Sequence, residues 1–323
     1  MPAPRILLVK LSSLGDVVHL FPAVSDLAAN RPDAGIAWAV EAPYAELVRL
    51  HPAVREVIAV PLRALRSHPL SARAWRDIAA SRRALRASRW DYVVDAQGLV
   101  KSACVARWSR GTIFGLDAAS ARERLAARAY DVKVAVPREL HAVERNRRLV
   151  AGVFGYAIEG PARYGLVAPA SPPPWAPAGR YAVMLHAASR PAKRWPQERW
   201  IALARELAQG GYSLVFPGGT GAEREAAARL AAAAGAGAMA APSMTLAQAA
   251  ALLAHAAGAV GVDTGLTHLA VALGVPTVGL YCSTAPERTG LHGGDSAVNL
   301  GGPGTPPAVG AVAEAIGLAH GAA

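Results

Sequence analysis

Short apolar runs rich in branched residues alternate with amphipathic helical stretches along this chain, stop at a proline-rich break, and start again. This double alternation is the strongest constraint on the fold, because strand–helix repetition is how a parallel sheet covered by helices is written in sequence. In the first half it predicts strands over 6–10, 36–40, 56–60 and 92–96, and helices over 17–29, 43–50, 70–87, 100–108 and 142–154. The break, Ala168-Pro-Ala-Ser-Pro-Pro-Pro-Trp-Ala-Pro-Ala-Gly179, suits neither a helix nor a central strand and reads as an extended linker. Beyond it come strands over 181–186, 213–217, 257–262 and 277–281, and helices over 200–209, 223–233, 246–255, 266–273 and 308–319. The alanine-rich stretch 226–241 reads as helix filler. The reading is therefore α/β, with doubly wound domains over 1–167 and 180–323 and linker 168–179 between them. The cleft between two such domains is a preferred ligand position.

In such sheets ligand groups sit at the carboxyl ends of strands, so the turns there carry the functional reading. Gly261-Val-Asp-Thr-Gly-Leu-Thr-His268 runs from strand to helix start. The helix start offers free backbone N–H groups and the positive end of a dipole to an anion, and Gly265 lets a ligand approach closely. Asp263 beside it, with Thr264, Thr267 and His268, suits a ligand carrying both phosphates and hydroxyls, such as a nucleotide-sugar. The plainer alternative makes Asp263 or Thr264 a helix cap. After His186, a loop presents Ser189, Arg190, Lys193 and Arg194, a set that suits a diphosphate. Glu223, after Pro217-Gly-Gly-Thr-Gly221, is placed to take ribose hydroxyls or to cap its own helix.

In the first half, Lys10-Leu-Ser-Ser-Leu-Gly-Asp-Val-Val-His19 occupies the place of a dinucleotide fingerprint without its glycines, which argues against an NAD enzyme. Asp16 is a candidate general base or a helix-start acid that complements the dipole. Asp95-Ala-Gln-Gly-Leu-Val-Lys-Ser102 is expected to place Asp95, Gln97 and Lys101 on the same rim as Asp16.

Charge is unevenly placed. Residues 1–165 hold 25 Lys+Arg against 15 Asp+Glu, and residues 166–323 hold 9 against 8. The first half carries nearly all of the net +11 and implies an anionic partner: a phosphorylated substrate, an anionic membrane or nucleic acid. Nucleic acid is disfavoured because aromatic residues are 6% and none interleaves the arginines of 73–89 beyond the single Trp75. Lysine occurs only at 10, 101, 133 and 193 against 30 arginines, which marks those sites as places where a compact ammonium is needed. The 53% hydrophobic content excludes disorder. No apolar run reaches the roughly 18 residues of a membrane span. Cys104 and Cys282 have neither disulfide density nor metal spacing, and the N-terminus lacks a signal-peptide shape, so a cytoplasmic setting is expected.

Five segments, Lys10-Leu-Ser-Ser-Leu-Gly-Asp16, Asp95-Ala-Gln-Gly-Leu-Val-Lys-Ser102, His141-Ala-Val-Glu-Arg145, Lys193-Arg-Trp-Pro196 and Asp263-Thr-Gly-Leu-Thr-His268, resemble in sequence and order those of the heptosyltransferases of glycosyltransferase family 9. The resemblance runs through nearly the whole chain. It implies a GT-B fold, two Rossmann-like doubly wound domains facing a central cleft, with the last helix able to pack back on the first domain. It implies an ADP-heptose donor held by the C-terminal domain and an acceptor, the Kdo of Kdo2-lipid A, held mainly by the N-terminal one. It further implies inverting transfer with no metal or other cofactor, no nucleic-acid partner, and a peripheral position on the cytoplasmic face of the inner membrane. Carried over, Asp16 resembles the catalytic base and Lys193 the lysine that meets the donor phosphates. Glu223 resembles the carboxylate near the nucleoside and Asp263 the group that binds the heptose. Ser189, Thr264, Gly265 and His268 complete the implied donor set. Arg63, Arg66, Arg122 and His141 fall where acceptor contacts are implied, with Ser12, Ser13, Gly15, Gln97 and Lys101 in the turns beside them. Ala188-Ser189 departs from the two hydroxyl residues of the family pattern. A different donor or acceptor on the same fold, or a non-catalytic binder of anionic lipid or nucleic acid, remains the alternative.

Overall fold

The computed structural model describes residues 3–321, and the chain divides into two compact units at Val167/Ala168. Each unit is built on one six-stranded parallel sheet. The first contains β1 (Arg5–Val9), β2 (Gly35–Glu41), β3 (Val54–Val60), β4 (Arg89–Asp95), β5 (Arg110–Leu116) and β6 (Val132–Val134), in the spatial order β3-β2-β1-β4-β5-β6. The second contains β7 (Tyr181–Leu185), β8 (Ser213–Phe216), β9 (Ala238–Ala240), β10 (Gly258–Val262), β11 (Thr277–Tyr281) and β12 (Ala297–Gly301), in the order β12-β11-β10-β7-β8-β9. Both are the doubly wound order of dinucleotide-binding folds. The winding reverses between β1 and β4 in one unit and between β7 and β10 in the other, and a crevice opens at the carboxyl ends of such a pair.

The sequence explains which strands are central. Ile6, Leu7, Leu8 and Val9 are completely buried, as are Val260, Val262, Val278 and Leu280. Parallel strands covered on both faces read as continuous apolar runs in this way. Indole rings fill the layer between sheet and helices in the first unit and satisfy their N–H groups on backbone. Trp38 donates to the Lys10 carbonyl (3.1 Å) and Trp90 to the Leu85 carbonyl (2.9 Å). The last helix, Val309–Gly321, packs within the second unit on the helix Gln197–Gln209 and on β11.

Several elements depart from the sequence reading. The 17–29 helix is two helices, Leu14–Val18 and Phe21–Asn30, because Pro22 starts a new first turn where its missing N–H costs nothing. The 43–50 helix shrinks to Ala45–Val48. The alanine-rich 226–241 stretch is not all helix: the helix Gly221–Ala234 ends at Gly235, and Ala238–Ala240 pairs with β8 as an edge strand. Strands β5, β6 and β12 are not announced by the sequence pattern. In β5 the sequence Arg110-Gly-Thr-Ile-Phe-Gly-Leu116 carries two interior glycines, which normally argue against a strand. Both have a packing reason. A Cβ on Gly111 would collide with the Trp90 backbone, and one on Gly115 would collide with the Tyr130 ring.

Gly115 lies opposite Asp95 in the sheet, and Tyr130 crosses it to reach Asp95 with its hydroxyl. Gly115→Ala is therefore expected to destabilise the protein by about 1–3 kcal/mol, the usual cost of overpacking. Urea unfolding monitored by circular dichroism checks this; a variant as stable as the parent would show that Tyr130 moves aside freely.

Candidate functional site

In the first unit the carboxyl ends of β1 and β4 lie side by side, with Val9 in register with Asp95. The chain leaves β1 through Ser12 and Ser13 into the helix Leu14–Val18, and Asp16 sits in that helix's first turn. Asp16 Oδ2 accepts from the Ser13 amide (2.9 Å) and the Ser13 hydroxyl (3.1 Å). One oxygen thus caps the helix start. Asp16 is only half-buried, and among the described residues its other oxygen receives no hydrogen bond.

Asp95 behaves differently. It is completely buried; Oδ1 accepts from the amides of Gln97 (2.9 Å) and Gly98 (3.3 Å), and Oδ2 from the hydroxyls of Ser102 (2.8 Å) and Tyr130 (2.7 Å). Burial pushes its carboxyl above the ordinary range, against the opposing pull of those hydrogen bonds. The expectation that Asp95 stands on the rim beside Asp16 is corrected here: it is an internal strut holding the 95–102 turn. Gln97 is buried as well. Its Oε1 accepts from the Leu11 amide (2.7 Å) and its Nε2 donates to the Ser12 carbonyl (2.6 Å), which clamps the two turns together. Lys10 is buried behind them, donating to the Ala96 carbonyl (2.7 Å) and to Asn146 Oδ1 (3.2 Å). Burial lowers its pKa, while the nearby Asp16 and Asp95 act in the opposite direction.

Lys101 does reach the rim. Its Nζ donates to Ser12 Oγ (2.6 Å) and lies 3.4 Å from Glu41 Oε1. Buried Glu41, at the end of β2, also lies 3.4 Å from Arg63 Nε, and Arg63 donates to the Tyr44 hydroxyl (3.0 Å). Ser12, Ser13, Asp16, Gln97, Lys101 and Arg63 therefore share one sheet edge, with Gly15 in the helix start between them. Arg66 and Arg122 are exposed and form no ion pair among the described residues. His141 caps the helix Ala142–Phe154, its Nδ1 accepting from the Val143 amide (3.2 Å), and its ring meets that of His19 edge-on at 5.7 Å.

In the second unit Asp263 follows β10 directly, and Thr264 precedes the helix Gly265–Ala272. Asp263 Oδ2 accepts from Lys193 Nζ (2.6 Å) and Thr284 Oγ1 (2.9 Å), and His268 Nε2 stands 3.6 Å from Oδ1. Burial alone would raise the Asp263 pKa; the nearby His268 ring, hydrogen bonds from Lys193 and Thr284, and the lysine charge outweigh it and hold the carboxyl well below the usual range. The Thr264 and Thr267 hydroxyls meet at 3.2 Å, and Thr267 is anchored on the Val262 carbonyl (2.7 Å). Lys193 ends a short 3-10 turn after β7; Ser189, Arg190 and Arg194 on the same loop are exposed, and neither arginine has an ion pair among the described residues. Glu223 caps its own helix, with Oε2 accepting from the amides of Gly219 (2.9 Å) and Thr220 (2.8 Å). His186, at the end of β7, is buried with Nε2 unpartnered, and burial depresses its pKa.

Thr284, Glu41, Tyr130 and Asn146 were missed by sequence reasoning. Thr284 and Glu41 stand at the carboxyl ends of β11 and β2, so the rule that selected Asp263 could have found them. Tyr130 and Asn146 are brought in only by tertiary packing. Among the described residues no group of three or more His, Cys, Asp or Glu side chains converges to hold a metal ion. A groove of about 690 Å³ lies at the opposite, amino end of β4 and β5, between Arg89, Trp90, Arg110 and Asp131. Its Asp131 is already committed to Arg107 and to the Ile113 amide.

Two tandem doubly wound units, each with hydroxyl, cationic and carboxylate groups gathered at the carboxyl edge of its sheet, define a two-unit α/β protein of the doubly wound class. Comparison with known proteins gives the family. Residues 78–308 match the model of glycosyltransferase family 9 (heptosyltransferase). The lipopolysaccharide heptosyltransferase 1 of Pseudomonas aeruginosa is 43% identical over 304 residues, covering 92% of this chain and 83% of that protein. The structure of Escherichia coli heptosyltransferase WaaC with ADP is similar with a TM-score of 0.89 at 37% identity, covering 98% of this chain and 99% of that one. The same enzyme with ADP-2-deoxy-2-fluoro heptose gives 0.85 at 38% identity, covering 97% and 99%. The chain belongs to glycosyltransferase family 9, and its two six-stranded parallel sheets are those of the GT-B class.

The depressed Asp263 pKa gives a signed pH dependence. Its stabilising contribution is fully present above the unfolded-state value of about 3.9 and is lost as pH falls below that, toward the folded value. Asp263→Asn should therefore be least stable relative to the parent near neutral pH, with the gap narrowing below about pH 4. Urea titrations from neutral pH to about pH 3 measure it; a gap that stays constant across that range would show that the charge on Asp263 is not what stabilises the cluster.

Proposed function

We propose that this protein transfers heptose from ADP-heptose to a Kdo sugar of Kdo2-lipid A, in the inner core of lipopolysaccharide, by a single displacement that inverts the anomeric centre without a metal. The observation that carries the reading is the Lys193–Asp263–Thr284 cluster at the start of the helix Gly265–Ala272, in a chain of the heptosyltransferase family. A cation, hydroxyls and free helix-start amides suit a diphosphate, and a carboxylate beside them suits sugar hydroxyls. The relatives' names and the ADP and fluoro-heptose complexes of the Escherichia coli enzyme support the donor assignment.

The proposed chemistry assigns one part to each edge. The acceptor hydroxyl attacks the anomeric carbon as the bond from that carbon to the ADP oxygen breaks. Asp16, with one oxygen held by Ser13 and the other open, takes the hydroxyl proton. Negative charge grows on the leaving diphosphate, where Lys193 and the helix start stabilise it. Asp263, ionised well below neutral pH, holds heptose hydroxyls, and in binding the diphosphate Lys193 exchanges one anionic partner for another. Ser189, Thr264, Gly265 and His268 line the donor side, and Glu223 reaches the nucleoside with the carboxylate that caps its helix. Ser12, Ser13, Gly15, Lys101, Arg63, Arg66, Arg122 and His141 form the acceptor side, where cations meet the Kdo carboxylates and lipid A phosphates, and buried Gln97 holds the turns beneath them rather than meeting the acceptor. The lipid-borne acceptor places the protein peripherally on the cytoplasmic face of the inner membrane. No helix among the described residues is long and apolar enough to cross a membrane.

Assaying purified protein with ADP-heptose against UDP- and GDP-sugars, on Kdo2-lipid A, tests the activity; turnover with another nucleotide-sugar alone would displace it. Asp16→Asn keeps the side-chain shape and removes the base. Turnover should fall by about 10²–10⁴, the usual worth of general-base help, while calorimetry shows ADP-heptose binding near the parent value; substantial turnover would move the base elsewhere. Lys193→Ala removes one preorganised stabiliser of the leaving group, and turnover of the folded protein should drop by about 10²–10³, with a lower melting temperature because Asp263 loses its paired cation. Parent-like turnover would remove Lys193 from the phosphate role.

A further inference from the structure

The helix Ala72–Ala87 carries a surface that the transfer reaction does not use. Ala74, Ile78, Ser81 and Leu85 are its buried stripe, spaced i, i+4, i+7, i+11. By the same spacing Trp75, Ala79, Arg82 and Arg86 form the stripe beside it, and Arg76 and Arg83 the next one out. The helix's only acid, Asp77, lies on the opposite flank. Trp75, Arg76, Arg82, Arg83 and Arg86 are all exposed, and among the described residues none of these arginines is ion-paired. At the amino end of the helix, Leu70 is 97% exposed and Trp75 is 56% exposed. The Trp75 indole donates to the Pro69 carbonyl (2.8 Å), which holds the ring against the turn that carries Leu70.

This combination is costly on a surface that meets only water. Four unpaired cations along one flank repel one another, and a leucine and a tryptophan are held outward together at its end. It fits a bilayer interface, where tryptophan sits at headgroup depth, an aliphatic side chain enters the acyl boundary, and arginines meet anionic headgroups with their stems lying along the surface. Nucleic acid fits less well. One aromatic residue gives no row of stacking platforms, and a bare leucine adds nothing to a phosphate contact. The position also matters. The chain reaches Leu70 from β3 through the helix Leu62–Ser67, whose Arg63 meets Glu41 at the carboxyl edge of the first sheet.

We propose that Leu70, Trp75 and the flank Arg76, Arg82, Arg83 and Arg86 are a docking surface for an anionic lipid bilayer. It deepens the proposed function, resting on that reading only for the need to meet a lipid-borne acceptor, and its test uses neither donor nor acceptor. The full-length protein is sedimented with sucrose-loaded vesicles of phosphatidylcholine alone, or with about one third phosphatidylglycerol. Binding is expected to the anionic vesicles only, and to be lost in about 0.5 M NaCl, where screening shortens to a few ångström. The Arg82→Gln/Arg86→Gln double variant should bind about 25-fold more weakly, at about fivefold per cation removed. Leu70→Ser, at a position too exposed to unfold the protein, should bind about tenfold more weakly with an unchanged melting temperature. Equal binding to both vesicles, parent-like binding by these variants, or tighter binding of the parent to single-stranded RNA than to anionic vesicles would each overturn the proposal. Heptose transfer absent while vesicle binding follows this pattern would fault the enzymatic reading and leave the surface standing.

Discussion

Every strand pairing within the two sheets is parallel. Parallel pairing forces each strand to be followed by a crossover, so all the carboxyl ends of a sheet fall on one edge and the loops that leave them are free to carry chemistry. The apolar cost of that architecture is visible in β1, β7, β10 and β11, which are buried on both faces. Its return is that turns far apart in sequence become neighbours. The Ser12–Asp16 turn meets the Gln97–Lys101 turn because β1 and β4 are paired, and the Lys193 loop meets Asp263 because β7 and β10 are.

The carboxylates divide by environment. Asp95 is buried under four donors and locks a turn. Asp16 spends one oxygen on its helix start and keeps the other. Asp263 is half-enclosed by a lysine, a threonine and a histidine that keep it ionised. Three aspartates at strand ends, which look alike in sequence, thus have three roles, set by what surrounds each carboxyl group. The rare lysines divide in a similar way. Lys10 is buried between a carbonyl and an amide oxygen, where a planar guanidinium would need more partners than the site offers. Lys101 and Lys193 each reach a single oxygen-rich point.

The charge imbalance has a spatial form as well. The cations of the first unit are not spread evenly: Arg63 and Lys101 gather around Glu41 at the sheet edge, while Arg76, Arg82, Arg83 and Arg86 line one flank of a helix whose single acid, Asp77, lies on the other flank. The second unit is near neutral, and three of its nine basic residues, Arg190, Lys193 and Arg194, stand on the loop after β7.

The alternation of strand and helix, the division near the proline run, and the turns that carry Asp16, Lys193 and Asp263 were legible in the sequence, because period, proline and strand-end position are local properties. Helices Val100–Trp108 and Ala142–Phe154 and strand Thr277–Tyr281 could be bounded to the residue for the same reason. What could not be read depended on contacts between distant residues. Gly111 and Gly115 look like strand breakers until Trp90 and Tyr130 occupy the space their side chains would need. Asp95 and Gln97 look like rim residues until Tyr130, Leu11 and Ser12 close over them. Edge strands β6, β9 and β12 are short or only partly buried, so their sequences carry little period, and pairing with a neighbour alone makes them strands. Sequence by itself determined which residues stand at strand ends; tertiary structure decided which of those are buried and bonded and which keep an atom open to a ligand, because burial is a property of the neighbours.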